Sequence, residues 1–202
     1  MHPHASSSPE REIRALPELR LERAALEHNV RLMAEWCREH RVELAPHIKT
    51  TMVRPIVEQQ LEAGAWGVTV ATARQADVAR GWGVRRILVA NEVIHSTDLA
   101  LLRRLLDETP DLELFCLIDS PTGVDLAAAA LHNTHNPLRV LVDVGVPGGR
   151  TGVRNAAEAY ELAAAAVKAS PGLLLVGVAG YEGCDPIPGT PRRSPPSTRT
   201  AV

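Results

Sequence analysis

Short apolar runs alternate with longer helical segments along most of this chain, and that rhythm leaves few folds open. Residues 66–71, 86–90, 112–118, 138–144 and 173–178 read as strands. Residues 53–63, 73–80, 97–108, 121–132 and 155–169 carry helical spacing between and after them. Gly64 is a usual helix stop, and Ser96 and Asn155 are expected N-caps. Upstream, residues 18–22 alternate like a short strand, and 23–40 place Leu26, Val30, Met33 and Cys37 on one helical stripe. Residues 42–49 read as a buried strand that tolerates Pro46 near its end. Strand-then-helix repetition with short connections is the pattern of a parallel α/β fold. The composition agrees: hydrophobic residues make up 45% but aromatics only 3%, so the core must be Ala, Val, Leu and Ile. An open doubly wound sheet and a (β/α)8 barrel both fit. No Gly-x-Gly-x-x-Gly follows the first strand, which argues against a dinucleotide fold.

The position of the polar residues favours the barrel. His47 and Lys49, Thr72, Asn91, Asp119, the loop 145–150, and Tyr181 with Glu182 each follow a different strand. A barrel builds its site from such strand ends. Side chains two apart on a strand share a face, so Ala45, His47 and Lys49 point one way and Leu44 and Ile48 the other. An amine is a nucleophile only when deprotonated, a state that burial beside another potential cation favours. These ten residues alone fit a surface lysine past a strand better than a reactive amine. Glycines in 145–152 allow close backbone approach and hold Arg150 at the mouth of the strand ending near Asp143. An arginine there can donate to a phenolate or carboxylate. His132 and His135 lie in a polar loop with no third ligand near them and read as solvated.

Charge and cysteines narrow the partners. A net charge of -2 gives no reason to expect nucleic acid or an anionic membrane surface. No run is long enough to span a bilayer, and residues 1–10 have no apolar segment of the signal-peptide kind. Three isolated cysteines, Cys37, Cys116 and Cys184, suit a reducing cytoplasm. Residues 1–15 are expected to be a disordered start, and 16–183 the folded unit. After Gly183 the character changes: Pro186, Pro188, Pro191, Pro195 and Pro196 stand among few core-forming residues. Residues 184–202 are therefore expected to be disordered, and the abrupt change raises the expectation of an incomplete chain.

Pro46-His47-Ile48-Lys49-Thr50 resembles the Pro-His-x-Lys-Thr motif of the D-threonine aldolase and D-serine dehydratase-like enzymes. These belong to the alanine racemase-like, fold-type III group that uses pyridoxal 5'-phosphate (PLP). The resemblance continues through 60–72, 87–93, 142–145, 149–153 and 180–183. It implies a parallel (β/α)8-type barrel, here incomplete, with about six of the eight strands. It implies that Lys49 bonds covalently to PLP, that Arg150 donates to the phenolic oxygen, and that His47 and Tyr181 flank the ring. Asn91 and Thr72 would lie at neighbouring strand ends. The implied reaction is cleavage of a D-β-hydroxy amino acid to glycine and an aldehyde. D-Serine dehydration, racemization of an amino acid, and non-catalytic PLP binding are the alternatives. A cofactor-free aldolase that uses Lys49 is a further one. Full-length relatives are expected to be homodimers and to hold a divalent metal on a C-terminal domain. No metal ligand is assigned in this chain, and Cys184 stands where the family commonly has histidine. The barrel-closing strands and a phosphate-holding glycine loop have no counterpart, so the isolated chain is expected to be inactive or a weak PLP binder.

Overall fold

A computed structural model of the chain describes residues 20–181. The order is α1 (Arg23–His40), α2 (Arg54–Glu62), β1 (Val68–Val70), α3 (Ala73–Gly81), β2 (Arg86–Glu92) and α4 (Ser96–Glu108). It continues with β3 (Glu113–Ile118), α5 (Pro121–Leu131), β4 (Leu138–Val144), α6 (Ala156–Lys168) and β5 (Leu173–Gly180). All neighbouring strands pair in parallel, and the sheet order is β1-β2-β3-β4-β5. A doubly wound sheet reverses its strand order at a switch point. This one never reverses, so right-handed crossovers keep the helices on one face. The result is the arc of a barrel that the described strands do not close.

Alternation on the strands sets the two faces. Ile87 and Val89 of β2, Leu114 and Cys116 of β3, and Val140 and Val142 of β4 are buried on the helix side. There they form one cluster with Leu102 and Leu105 of α4, Val124 and Leu131 of α5, and Leu162 of α6. The other face carries Leu88, Phe115 and Leu117, which are only half-buried. Two caps follow local chemistry: the Asn155 side chain accepts from the Glu158 amide at 2.9 Å, and the Ser120 hydroxyl accepts from the Gly123 amide at 3.0 Å.

Four expectations need correction. Residues 42–49 form no regular strand, and only His47 bridges Thr69. Pro46 has no amide to donate, and the pairing slips by one residue: Trp66 N–H donates to Leu44 O at 2.8 Å and Thr69 N–H to Pro46 O at 2.8 Å. Ile48 N–H then donates to Thr69 O at 2.9 Å, so the segment still lies along β1 as a sixth, irregular member of the arc. The first full strand spans only Val68–Val70. Residues 20–22 are not strand, and 18–19 lie outside the described residues. Ser96 does not cap α4: the N-cap position is His95, whose Nδ1 lies 2.8 Å from the Thr97 hydroxyl. The expected disordered stretches 1–15 and 184–202, with Glu182, Gly183 and Cys184, also fall outside the described residues.

Candidate active site

The candidate site is built where the strands end. Past His47 the chain leaves the sheet, and the amides of Thr51 and Met52 both bond back to Ile48 O, at 3.2 and 2.9 Å. Ile48 is 2% exposed and anchored in the core, so His47 and Lys49 on either side of it turn to the inner face. The Gln75 side-chain amide donates to Lys49 O at 3.1 Å and accepts from Ala71 N–H at 2.9 Å. This ties the lysine's backbone to the end of β1 and the start of α3. Thr69 adds a hydroxyl bond to Ala45 O at 2.8 Å.

On the opposite side, the glycine-containing loop after β4 folds back on itself. Gly145 N–H donates to Val153 O and Val153 N–H to Asp143 O, both at 2.9 Å. Gly152 N–H donates to the Asp119 carboxylate at 2.9 Å. Gly152 has φ +90°, and a Cβ there would meet Gly145 N at 2.5 Å, so this turn needs glycine. Arg154 bonds Thr151 O and Gly149 O from outside the loop at 2.6 and 3.1 Å. These bonds present Arg150 over the strand ends.

Between the two sides lies a cleft of about 460 Å3. His47, Lys49, Asp143, Arg150, Thr151 and Tyr181 supply its polar lining. Thr69, Leu88, Ala90, Leu117, Ala179 and Gly180 complete its walls. Four of the sequence candidates thus meet in one place, from segments far apart in the chain. Among the described residues, the side chains of His47, Lys49, Asp143, Arg150 and Tyr181 make no hydrogen bond or ion pair with protein. Partial burial, and then the nearby charge of Lys49, hold the His47 imidazole below its ordinary value of 6.5. At neutral pH it is therefore a neutral proton acceptor.

Two other candidates stand elsewhere. Thr72 is exposed at the N-cap of α3, where its hydroxyl accepts from Gln75 N–H at 3.3 Å. Asn91 is also exposed, and neither Asn91 nor Thr72 lines the cleft. The carbonyl of Asn91 accepts from the Cys116 thiol at 3.0 Å, and burial pushes that thiol up to about 12, too high for a reactive thiolate. Asp119 and Glu92 serve the scaffold. Glu92 accepts from the Ser120 amide at 3.1 Å and from its hydroxyl at 3.0 Å, at the start of α5. Asp143 and Gln75 are the residues that sequence reasoning passes over. Asp143 ends an apolar strand and lies within the resembling stretch 142–145, signals that assign it no role, and Gln75 has none.

A larger groove of about 590 Å3 lies under α1, lined by Leu26, Val30, Cys37, Val42, Leu44 and Ala63 among others. It contains no convergent set of reactive groups, so the smaller cleft is the better candidate. Among the described residues no three His, Cys, Asp or Glu side chains converge to hold a metal ion, and none of the helices is long and apolar enough to cross a membrane.

Comparison with known proteins agrees with this geometry. The family "Alanine racemase, N-terminal domain" matches residues 21–197. D-Threonine aldolase of Arthrobacter sp is 31% identical over 167 residues, covering 83% of this chain and 43% of that protein. D-threo-3-hydroxyaspartate dehydratase of Delftia sp. (strain HT23) is 31% identical over 130 residues, covering 63% of this chain and 33% of that protein. The crystal structure of D-threonine aldolase from Filomicrobium marinum superimposes with a TM-score of 0.76 at 30% identity, covering 81% of this chain and 43% of that one. The chain therefore spans less than half the length of these relatives.

Proposed function

The chain belongs to the alanine racemase N-terminal domain family, and from that premise we propose that it is the PLP-holding part of a lyase acting on D-β-hydroxy amino acids. The observation that carries this reading is one cleft at the strand ends that gathers Lys49 and Arg150, both without a side-chain partner among the described residues. The donor set fits PLP. Lys49 offers the amine for its aldehyde, and Arg150 a guanidinium for its phenolic oxygen. Leu88, Ala90, Leu117 and Ala179 offer an apolar wall for a flat ring. Tyr181 stands at the rim and His47 beside the amine. Bound PLP supplies the electron sink that weakens bonds at the substrate carbon next to nitrogen. The protein's own residues then decide which bond breaks. Neutral His47 is placed to accept a proton from a group held near Lys49. Gln75 fixes the backbone from which Lys49 reaches.

Within that class we favour the aldolase reaction, in which the bond between the α- and β-carbons of D-threonine breaks to give glycine and acetaldehyde. The support is the 31% identity to the Arthrobacter D-threonine aldolase over 83% of the chain. Product analysis tests it. D-Threonine with PLP should yield glycine and acetaldehyde in equal amounts from a polypeptide that contains this chain. Formation of 2-oxobutanoate and ammonia instead would move the assignment to a dehydratase. A cofactor-loaded protein that gives neither set of products would overturn the lyase reading.

A further inference from the structure

One charged group in the cleft has no task so far. Asp143 is 4% exposed, and its carboxylate makes no hydrogen bond or ion pair among the described residues. Outside the strand ladder its backbone accepts from Val153 N–H at 2.9 Å. β-Strand alternation puts it on the inner face: Val140 and Val142 are buried against the helices, so Leu141 and Asp143 point the other way. Its register partner on β5 is Ala179, which also lines the cleft. Its carboxylate oxygens are not among the fully enclosed polar atoms and line the cleft, so an occupant of the cleft can reach them. Lys49 and Arg150 border the same cleft, yet neither comes within ion-pair distance of Asp143. The negative charge is therefore kept apart from the positive ones, facing the space that an occupant fills.

We propose that Asp143 is the subsite for the ammonium group of the incoming amino acid. The argument is one of remaining charge. In the reading above, Lys49 and Arg150 belong to the cofactor, and His47 is neutral. Among the described residues that line the cleft, this leaves Asp143 as the unassigned charge, and it is negative. The complement is a cationic nitrogen, which an amino acid carries and the corresponding hydroxy acid lacks. Charge-assisted hydrogen bonds of this kind are about twice as strong as neutral ones, so the group selects by charge. Asp143 and Lys49 line the same cleft, so an amino acid held by Asp143 would lie in the space where Lys49 would hold the cofactor. The proposal rests on the cleft being a PLP and amino-acid site.

Calorimetric titration of the PLP-loaded protein separates the two. The probes are D-threonine and (R)-3-hydroxybutanoate, which keeps a carboxylate and a hydroxyl but has no amine. Asp143→Asn is expected to weaken D-threonine binding at least tenfold and to change 3-hydroxybutanoate binding less than twofold. Asp143→Glu should recover part of the D-threonine affinity, which a purely structural role would not produce. The melting temperature of Asp143→Asn should stay close to that of the wild type, since no described side chain pairs with the carboxylate. Unchanged D-threonine binding in Asp143→Asn, or equal loss of both ligands, overturns the proposal while the cofactor reading stands. Failure of the wild-type protein to attach PLP overturns that reading, and this proposal with it.

Discussion

The two ends of the sheet's inner face solve opposite problems with similar residues. At the N-terminal end, Arg86 pairs with Glu113 at 2.9 Å, and Arg139 approaches the same carboxylate at 3.7 Å. Arg86 also lies over the Trp66 ring at 5.5 Å, and Arg139 over Phe115 at 5.8 Å. The two rings meet at 5.1 Å. Charges and rings there satisfy one another, and the end is plugged. At the C-terminal end, Lys49, Asp143 and Arg150 share a cleft and make no ion pair among the described residues. Both ends are fixed by the same strands, whose outer face is packed dry against helices. Charged groups that line one cleft without pairing among the described residues are left available to whatever enters it. Stability is thus concentrated on the outer face, where the buried cluster lies, and the unpaired charges gather at the strand ends.

Substitutions can break or sharpen this contrast. The largest effect is expected on the outer face. Leu114 is 0% exposed, and Leu114→Ala should cost about 3 kcal/mol in urea unfolding. Leu117→Ala, two residues on and facing the cleft, should cost about 1 kcal/mol because its site is already partly open. Equal costs would remove the distinction between the faces. Next is Gly152→Ala, where φ +90° and a Cβ within 2.5 Å of Gly145 N oppose any side chain. It should cost about 2 kcal/mol in thermal unfolding and expose the 145–152 loop to limited proteolysis. Gln75→Met removes both bonds between Lys49 O and Ala71 N–H, at about 1–2 kcal/mol. Gln75→Glu should protect the Ala71 amide from hydrogen exchange as the wild type does, since the acceptor is kept, while still losing the bond to Lys49.

The smallest effect is in pH. Burial and then Lys49 hold His47 below 6.5 in the folded protein, so the unfolded chain takes up its proton first. The folded state is therefore favoured while the ring is neutral in both states, and loses some of that advantage as pH falls below about 6.5. His47→Gln should flatten this part of the stability profile. Lys49→Ala should raise the His47 titration midpoint, as read from its ring proton resonances. A midpoint unmoved by Lys49→Ala would contradict the proximity of the two groups.

Periodicity makes most of the fold legible in the sequence. The helix Arg23–His40 and the strand Leu138–Val144 have the bounds that their spacing predicts. Residues 42–49 are harder, because the apolar alternation of a strand is present while Pro46 and a slipped pairing are not visible as such. At the end of β1 the sequence cannot separate two uses of a hydroxyl. Thr72 follows a strand, where site residues gather, and also precedes a helix, where caps gather, and the structure uses it as a cap. Ser96 fails as a cap for a related reason: the chain enters α4 one residue earlier than its composition suggests, at His95. The cleft could be anticipated only in part. His47 and Lys49 stand out by their place on an apolar strand and Arg150 by its glycines. Asp143 and Gln75 depend on three-dimensional partners, or their absence, that no local pattern encodes.

The central claim is that the open end of the sheet is a PLP site with Lys49 as its covalent anchor. The most direct test is the absorbance spectrum of the purified chain with PLP, beside Lys49→Ala, followed by borohydride reduction and peptide mapping. The account predicts a new band in the wild type, absent from a Lys49→Ala protein of unchanged melting temperature, and reduced cofactor on the peptide that contains Lys49. A folded wild-type chain with no band, or label on a different lysine, would contradict it.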